Sequence, residues 1–82
     1  AAMIVADRAF AEARGLEPMA RLVSYGIGAV EPGFFGLGPV PAVRQALARA
    51  GWSIGDVDRV EINEAFAAIA LACLGELGFA EE

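Results

Sequence analysis

Histidine and lysine are both missing from this 82-residue sequence, and cysteine occurs once, as Cys73. Without histidine, a complete Ser-His-Asp or Cys-His catalytic set cannot be assembled from these residues alone. A single cysteine excludes an internal disulfide and any cysteine-rich zinc site, so no metal is expected. The six basic residues are all arginines, spread from Arg8 to Arg59 without clustering, and the net charge is −5. Nothing there would neutralise a phosphate backbone, so no nucleic-acid partner is expected. Long hydrophobic runs are missing too. The uncharged stretch from Ala65 to Gly75 is too short to span a bilayer and reads as a buried helix, which leaves no membrane partner. No basic segment precedes an apolar one at the start, so a secretory signal is not expected and the location reads as intracellular, in the cytoplasm.

What the sequence does have is apolar surface. Hydrophobic residues make up 57% and charged residues 21%, which excludes a disordered tail. A chain this short buries only about 60–65% of the surface its unfolded form exposes, so its margin is thin. The sequence opens on Ala1, and Met3 lies inside an apolar run instead of heading it. Together these features read as a piece of a longer protein.

Ala1–Ala6 is a short continuous apolar run, as in a strand covered on both faces. Asp7 is placed to N-cap a helix over Arg8–Arg14, with Gly15 ending it and Leu16 as the following hydrophobic contact. Met19–Val30 carries β-branched and aromatic residues in partial alternation and reads as a strand, with Gly26 and Gly28 marking a bend or another backbone close by. Glu31–Pro41 is broken by glycine and proline, yet its Phe34, Phe35 and Leu37 call for burial. It is either a loop that packs its own aromatics or the wall of a pocket. A helix opens near Pro41 and stops at Gly51. After a turn at Trp52–Val57, the strand Arg59–Ile62 runs into Asn63, a good N-cap for a helix from Glu64 to Leu77 that ends at Gly78. Its Phe66, Ile69, Ala70, Cys73, Leu74 and Leu77 fall at helical spacing, so it should be enclosed on nearly all sides. The order strand-helix-strand-loop-helix-strand-helix predicts an α/β layered fold with largely parallel strands.

Few residues are equipped for chemistry. Gly26-Ile27-Gly28 and Gly36-Leu37-Gly38 lack the surroundings of a phosphate-binding loop. Glu61 and Glu64 read as solvated or capping groups, and Cys73, on an apolar helix face, as a buried and inert thiol. Asn63 stands where a strand gives way to a buried helix, a usual place for ligand groups in open α/β sheets. Its side chain is either the helix cap or the holder of a water or substrate oxygen in an oxyanion-type site, and spacing does not decide between them.

Asn63-Glu64-Ala65-Phe66-Ala67-Ala68 resembles a motif of the thiolases, the acetyl-CoA acetyltransferases and 3-ketoacyl-CoA thiolases. Ala13 to Ser24 resembles the segment joining the two thiolase halves, Gly36 to Val43 the loop and helix start that follow, and Ala48 to Trp52 the approach to the Asn motif. The resemblance covers essentially the whole sequence in the family's order. It implies a partial thiolase-like layered fold, in which residues 1–18 end the N-terminal half and residues 19–82 begin the C-terminal domain. It implies thiolytic cleavage of a 3-ketoacyl-CoA, or the reverse Claisen condensation, through an acyl-cysteine. The acyl-accepting cysteine, the second cysteine and the histidine of the family have no counterpart here, since Cys73 matches neither family cysteine. These 82 residues alone are therefore expected to be inactive.

By the same resemblance, Asn63 corresponds to the asparagine that fixes a catalytic water near the enolate oxygen. Ala65 and Phe66 correspond to positions close to the bound thioester. Phe35 falls where many members carry Met beside the acyl pocket, and Ile69 where many carry Gln. The implied partners are an acyl-CoA substrate, the remainder of the thiolase chain and further copies in a homo-oligomer, and no cofactor is needed beyond the coenzyme A thioester itself. Two other readings are a non-catalytic thiolase-like scaffold and an independent small interaction domain.

Overall fold

The computed structural model describes residues 1–79. Its regular elements are three α-helices, α1 (Arg8–Ala13), α2 (Pro39–Ala50) and α3 (Ala67–Leu77), with two 3₁₀ helices at Pro32–Leu37 and Ile54–Asp56. As expected, the Asp7 carboxylate caps α1, accepting from the Ala9 N–H at 2.9 Å. The expected helix stops also hold. At the end of α2, Gly51 turns left-handed at φ 71°, its N–H reaches Ala48 O at 3.2 Å, and the Trp52 N–H closes onto Leu47 O at 3.0 Å. That double bond pattern satisfies carbonyls the helix itself leaves open. Gly15 and Gly78 end α1 and α3 in the same way, followed by Leu16 and Phe79.

The helix expected to open near Pro41 opens two residues earlier, at Pro39. Gly38 keeps a right-handed helical conformation, so the 3₁₀ helix runs on into α2. Both prolines then sit in the first turn, where their missing N–H groups have no intrahelical acceptor to lose. At the second 3₁₀ helix, the Ser53 N–H and hydroxyl both donate to the Asp56 carboxylate, at 2.8 and 2.7 Å. These bonds, the backbone one first, hold the Asp56 carboxyl below the usual carboxylate range.

The expected strands are not formed. Ala1–Ala6, Met19–Val30 and Arg59–Ile62 run without helical structure, but no strand ladder exists among the described residues. The reason is physical: a strand is defined by hydrogen bonds to a neighbour, and these segments have none beside them. The alternation of a half-buried strand is nonetheless present. Ser24, Gly26, Gly28 and Val30 are half-buried, while Val23, Tyr25, Ile27 and Ala29 between them are exposed. The inner row lies along α2, running opposite to it. Ser24 Oγ donates to Ala46 O at 2.7 Å, the Arg49 guanidinium to Tyr25 O at 2.8 Å, and the Ile27 N–H to Gln45 Oε1 at 2.9 Å.

The glycines make that approach possible. A Cβ on Gly26 would fall on the Ala42 carbonyl oxygen, and one on Gly28 would stand 2.7 Å from both Ala42 N and Gly38 O. The close approach of another backbone expected at these glycines is thus made to α2. The core is small. Among the described residues, only Val40 and Cys73 are buried apolar side chains, and only Cys73 fully so.

Candidate functional site

The first 3₁₀ helix and the start of α3 lie side by side and flank a shallow, open apolar groove of about 400 Å³. Phe34, Phe35 and Leu37 line it from the 3₁₀ helix, and Phe66, Ile69 and Ala72 from the α3 side. Phe34 and Phe35 remain 62% and 65% exposed, so the segment does not bury its own aromatics. Gly36 is the point of closest packing: a Cβ there would meet Ile69 Cγ1 at 2.8 Å. Behind it, the Cys73 thiol donates to Gly36 O at 3.2 Å. Cys73 is fully buried, as expected.

The start of α3 corrects one expectation. The helix begins at Ala67, not at Glu64, and Phe66 occupies the N-cap position with no side-chain bond. Phe66 is extended at φ −141°, ψ 138°, and the Ala65 N–H turns back onto Asn63 O at 3.1 Å. Together these hold the chain out of the helical path until Ala67. Asn63 therefore does not cap α3. Its side chain is exposed and makes no hydrogen bond among the described residues. Of the expected site residues, Phe35 and Phe66 are brought together as opposite walls of one groove. Asn63 and Ala65 lie in the exposed turn that leads into Phe66 and do not line it.

Phe34 lines the groove without being among the expected site residues, and the Phe34-Phe35 pair in a segment rich in glycine and proline is its signal. Ile69 is legible as one of the apolar residues at helical spacing, but its packing on Gly36 has no sequence signature. The expectation that α3 is enclosed on nearly all sides does not hold within these residues either. Leu71 is 52% exposed on the face away from the core.

Comparison with known proteins bears on the same segments. The family profile described as "Thiolase, C-terminal domain" matches residues 16–82. The chain belongs to the thiolase family. It is 51% identical over all 82 residues to the cytosolic acetyl-CoA acetyltransferase of Mus musculus, of which it covers 21%. It is 54% identical, again over its whole length, to the 3-oxoadipyl-CoA/3-oxo-5,6-dehydrosuberyl-CoA thiolase of Escherichia coli strain K12, covering 20% of that protein. Among solved structures, human mitochondrial 3-ketoacyl-CoA thiolase superposes on 92% of this chain, and 19% of its own, with a TM-score of 0.87 at 40% identity. The chain thus has a thiolase-like fold and spans about a fifth of the length of the curated relatives it matches. No helix among its described residues is long and apolar enough to cross a membrane.

Proposed function

We propose that these residues supply the oxyanion-site asparagine and two facing walls of the acyl groove to an acyl-CoA thiolase. The observation that carries the reading is the pairing of Phe35 with Phe66 across an apolar groove, directly after a turn that leaves the Asn63 amide uncommitted. The enzyme cleaves a 3-ketoacyl-CoA with a thiol, or condenses two acyl-CoA molecules in reverse. Its nucleophilic cysteine and catalytic histidine lie outside this segment, which contains no histidine. A cysteine thiolate takes the acyl group and expels coenzyme A, and the second acyl-CoA loses an α-proton to give an enolate that attacks the acyl-cysteine. Asn63 holds a water against the enolate oxygen. Ala65, small and next to Phe66, leaves room for the thioester.

No metal or cofactor other than the coenzyme A thioester takes part in this reading. The extended segments Ala1–Ala6, Met19–Val30 and Arg59–Ile62 become strands once the remainder of the chain lies beside them, giving the α/β layers. We place the junction of the two thiolase halves at Pro18 and Met19, which the start of the family match at Leu16 supports. The exposed apolar surface supports assembly with further copies, and the name of the mouse relative supports a cytoplasmic location.

Asn63→Ala in the full-length enzyme tests the reading. The expected outcome is a loss of about 10²–10³ in kcat with a small loss of stability. Transfer of a labelled acyl group to the nucleophilic cysteine should survive, because it uses other donors, while carbon–carbon bond making and breaking should fail. A variant that both labels and condenses at wild-type rates would remove Asn63 from the chemistry.

A further inference from the structure

We propose that Cys73 is a positioning residue whose thiol pins the first 3₁₀ helix to α3 and so sets the gap between Phe35 and Phe66. The inference rests on the acyl-groove reading above. Cys73 does not line the groove, and it is fully buried, so no substrate reaches its sulfur. Its Sγ–H donates to Gly36 O at 3.2 Å, which among the described residues is the one hydrogen bond between the 3₁₀ helix and α3.

Gly36 follows Phe35 directly, and the same residue presses on Ile69, one helical turn before Cys73. Ile69 and Cys73 thus form a two-residue ridge on α3 across which the 3₁₀ helix lies. Ile69 limits how near Gly36 comes, because its side chain already fills the space of a Cβ. The thiol limits how far Gly36 moves away, because the part-buried Gly36 carbonyl would lose its donor. Phe66 leads into the same α3 and Phe35 is carried by the same 3₁₀ helix, so the distance between the groove walls follows from this contact. Removing the donor frees the Phe35 wall without touching any lining residue.

The test uses the full-length enzyme as wild type, Cys73→Ala and Cys73→Ser, the serine keeping a donor at the same place. A short and a medium-length 3-ketoacyl-CoA are compared by kcat/KM. Cys73→Ala should change the ratio of the two by about three- to tenfold, mainly through KM, and Cys73→Ser should return it to within about twofold of wild type. Amide hydrogen exchange over residues 33–38 should quicken in Cys73→Ala and not in Cys73→Ser. Equal loss on both substrates, or faster exchange with no change in the ratio, would reduce Cys73 to a core residue and overturn the proposal. Unchanged exchange in an active Cys73→Ala enzyme would overturn the pinning itself. A wild type that turns over neither substrate would instead overturn the acyl-CoA reading, and the selectivity claim with it, whatever the exchange shows.

Discussion

Phe35 and Phe66 are 65% and 64% exposed, although burying such a ring is worth about 1.5–3 kcal/mol. In the proposed reading the two rings are the sides of a groove that an acyl chain closes. If Phe35 narrows that groove, Phe35→Ala in the full-length enzyme should relax discrimination between a short and a medium 3-ketoacyl-CoA by about 1–3 kcal/mol in relative kcat/KM. Equal losses on the two substrates would mark Phe35 as packing only. At this scale, what could be read from the sequence was chemical type. Cys73, with apolar neighbours at helical spacing, was legible as buried, and Asp7 as a cap. Asn63 was legible as a residue at a helix entrance but not as one released from capping. That depends on Phe66 adopting an extended backbone to reach the groove, which no local pattern of Asn63 and Glu64 encodes.

Helices were legible and strands were not, for a reason of range. A helix closes its own hydrogen bonds, so Asp7 at one end and Gly15, Gly51 and Gly78 at the others suffice to mark its bounds. A strand needs a neighbour, and residues 22–30 show only half of what defines one: the alternation of faces, with α2 on one side. Gly26 was read as a sign of close backbone approach, and the approach is to the carbonyl of Ala42 in α2. Because that neighbour is backbone and cannot swing aside, Gly26→Ala should cost the full-length enzyme about 1–3 kcal/mol or more, seen as a lower Tm. Gly33→Ala, with nothing within 4 Å of the added Cβ, is the matched control and should change Tm little. Similar Tm values for the two variants would show that the segment does not dock on α2 as described.

The molecule as a whole exposes 7002 Å², against about 4,700 Å² for a folded monomer of 8.5 kDa. Its radius of gyration is 15.5 Å, where a compact chain of this length would have about 12 Å. Much of the excess is apolar: Met3, Ile4, Leu22 and Ile27 are each at least three-quarters exposed, and all four lie in the extended segments that lack neighbours. The arithmetic of composition pointed the same way, since a sequence so apolar and so short has more to bury than it can cover. What would cover these faces was not legible, because no element among the described residues lies over them. The central claim is that this segment reaches its folded state only as part of a thiolase, and the purified 82-residue chain tests it most directly. Sedimentation and a thermal scan should show self-association or a loosely packed state with no sharp transition. A monomer that unfolds in one cooperative step would contradict the claim and identify an independent domain.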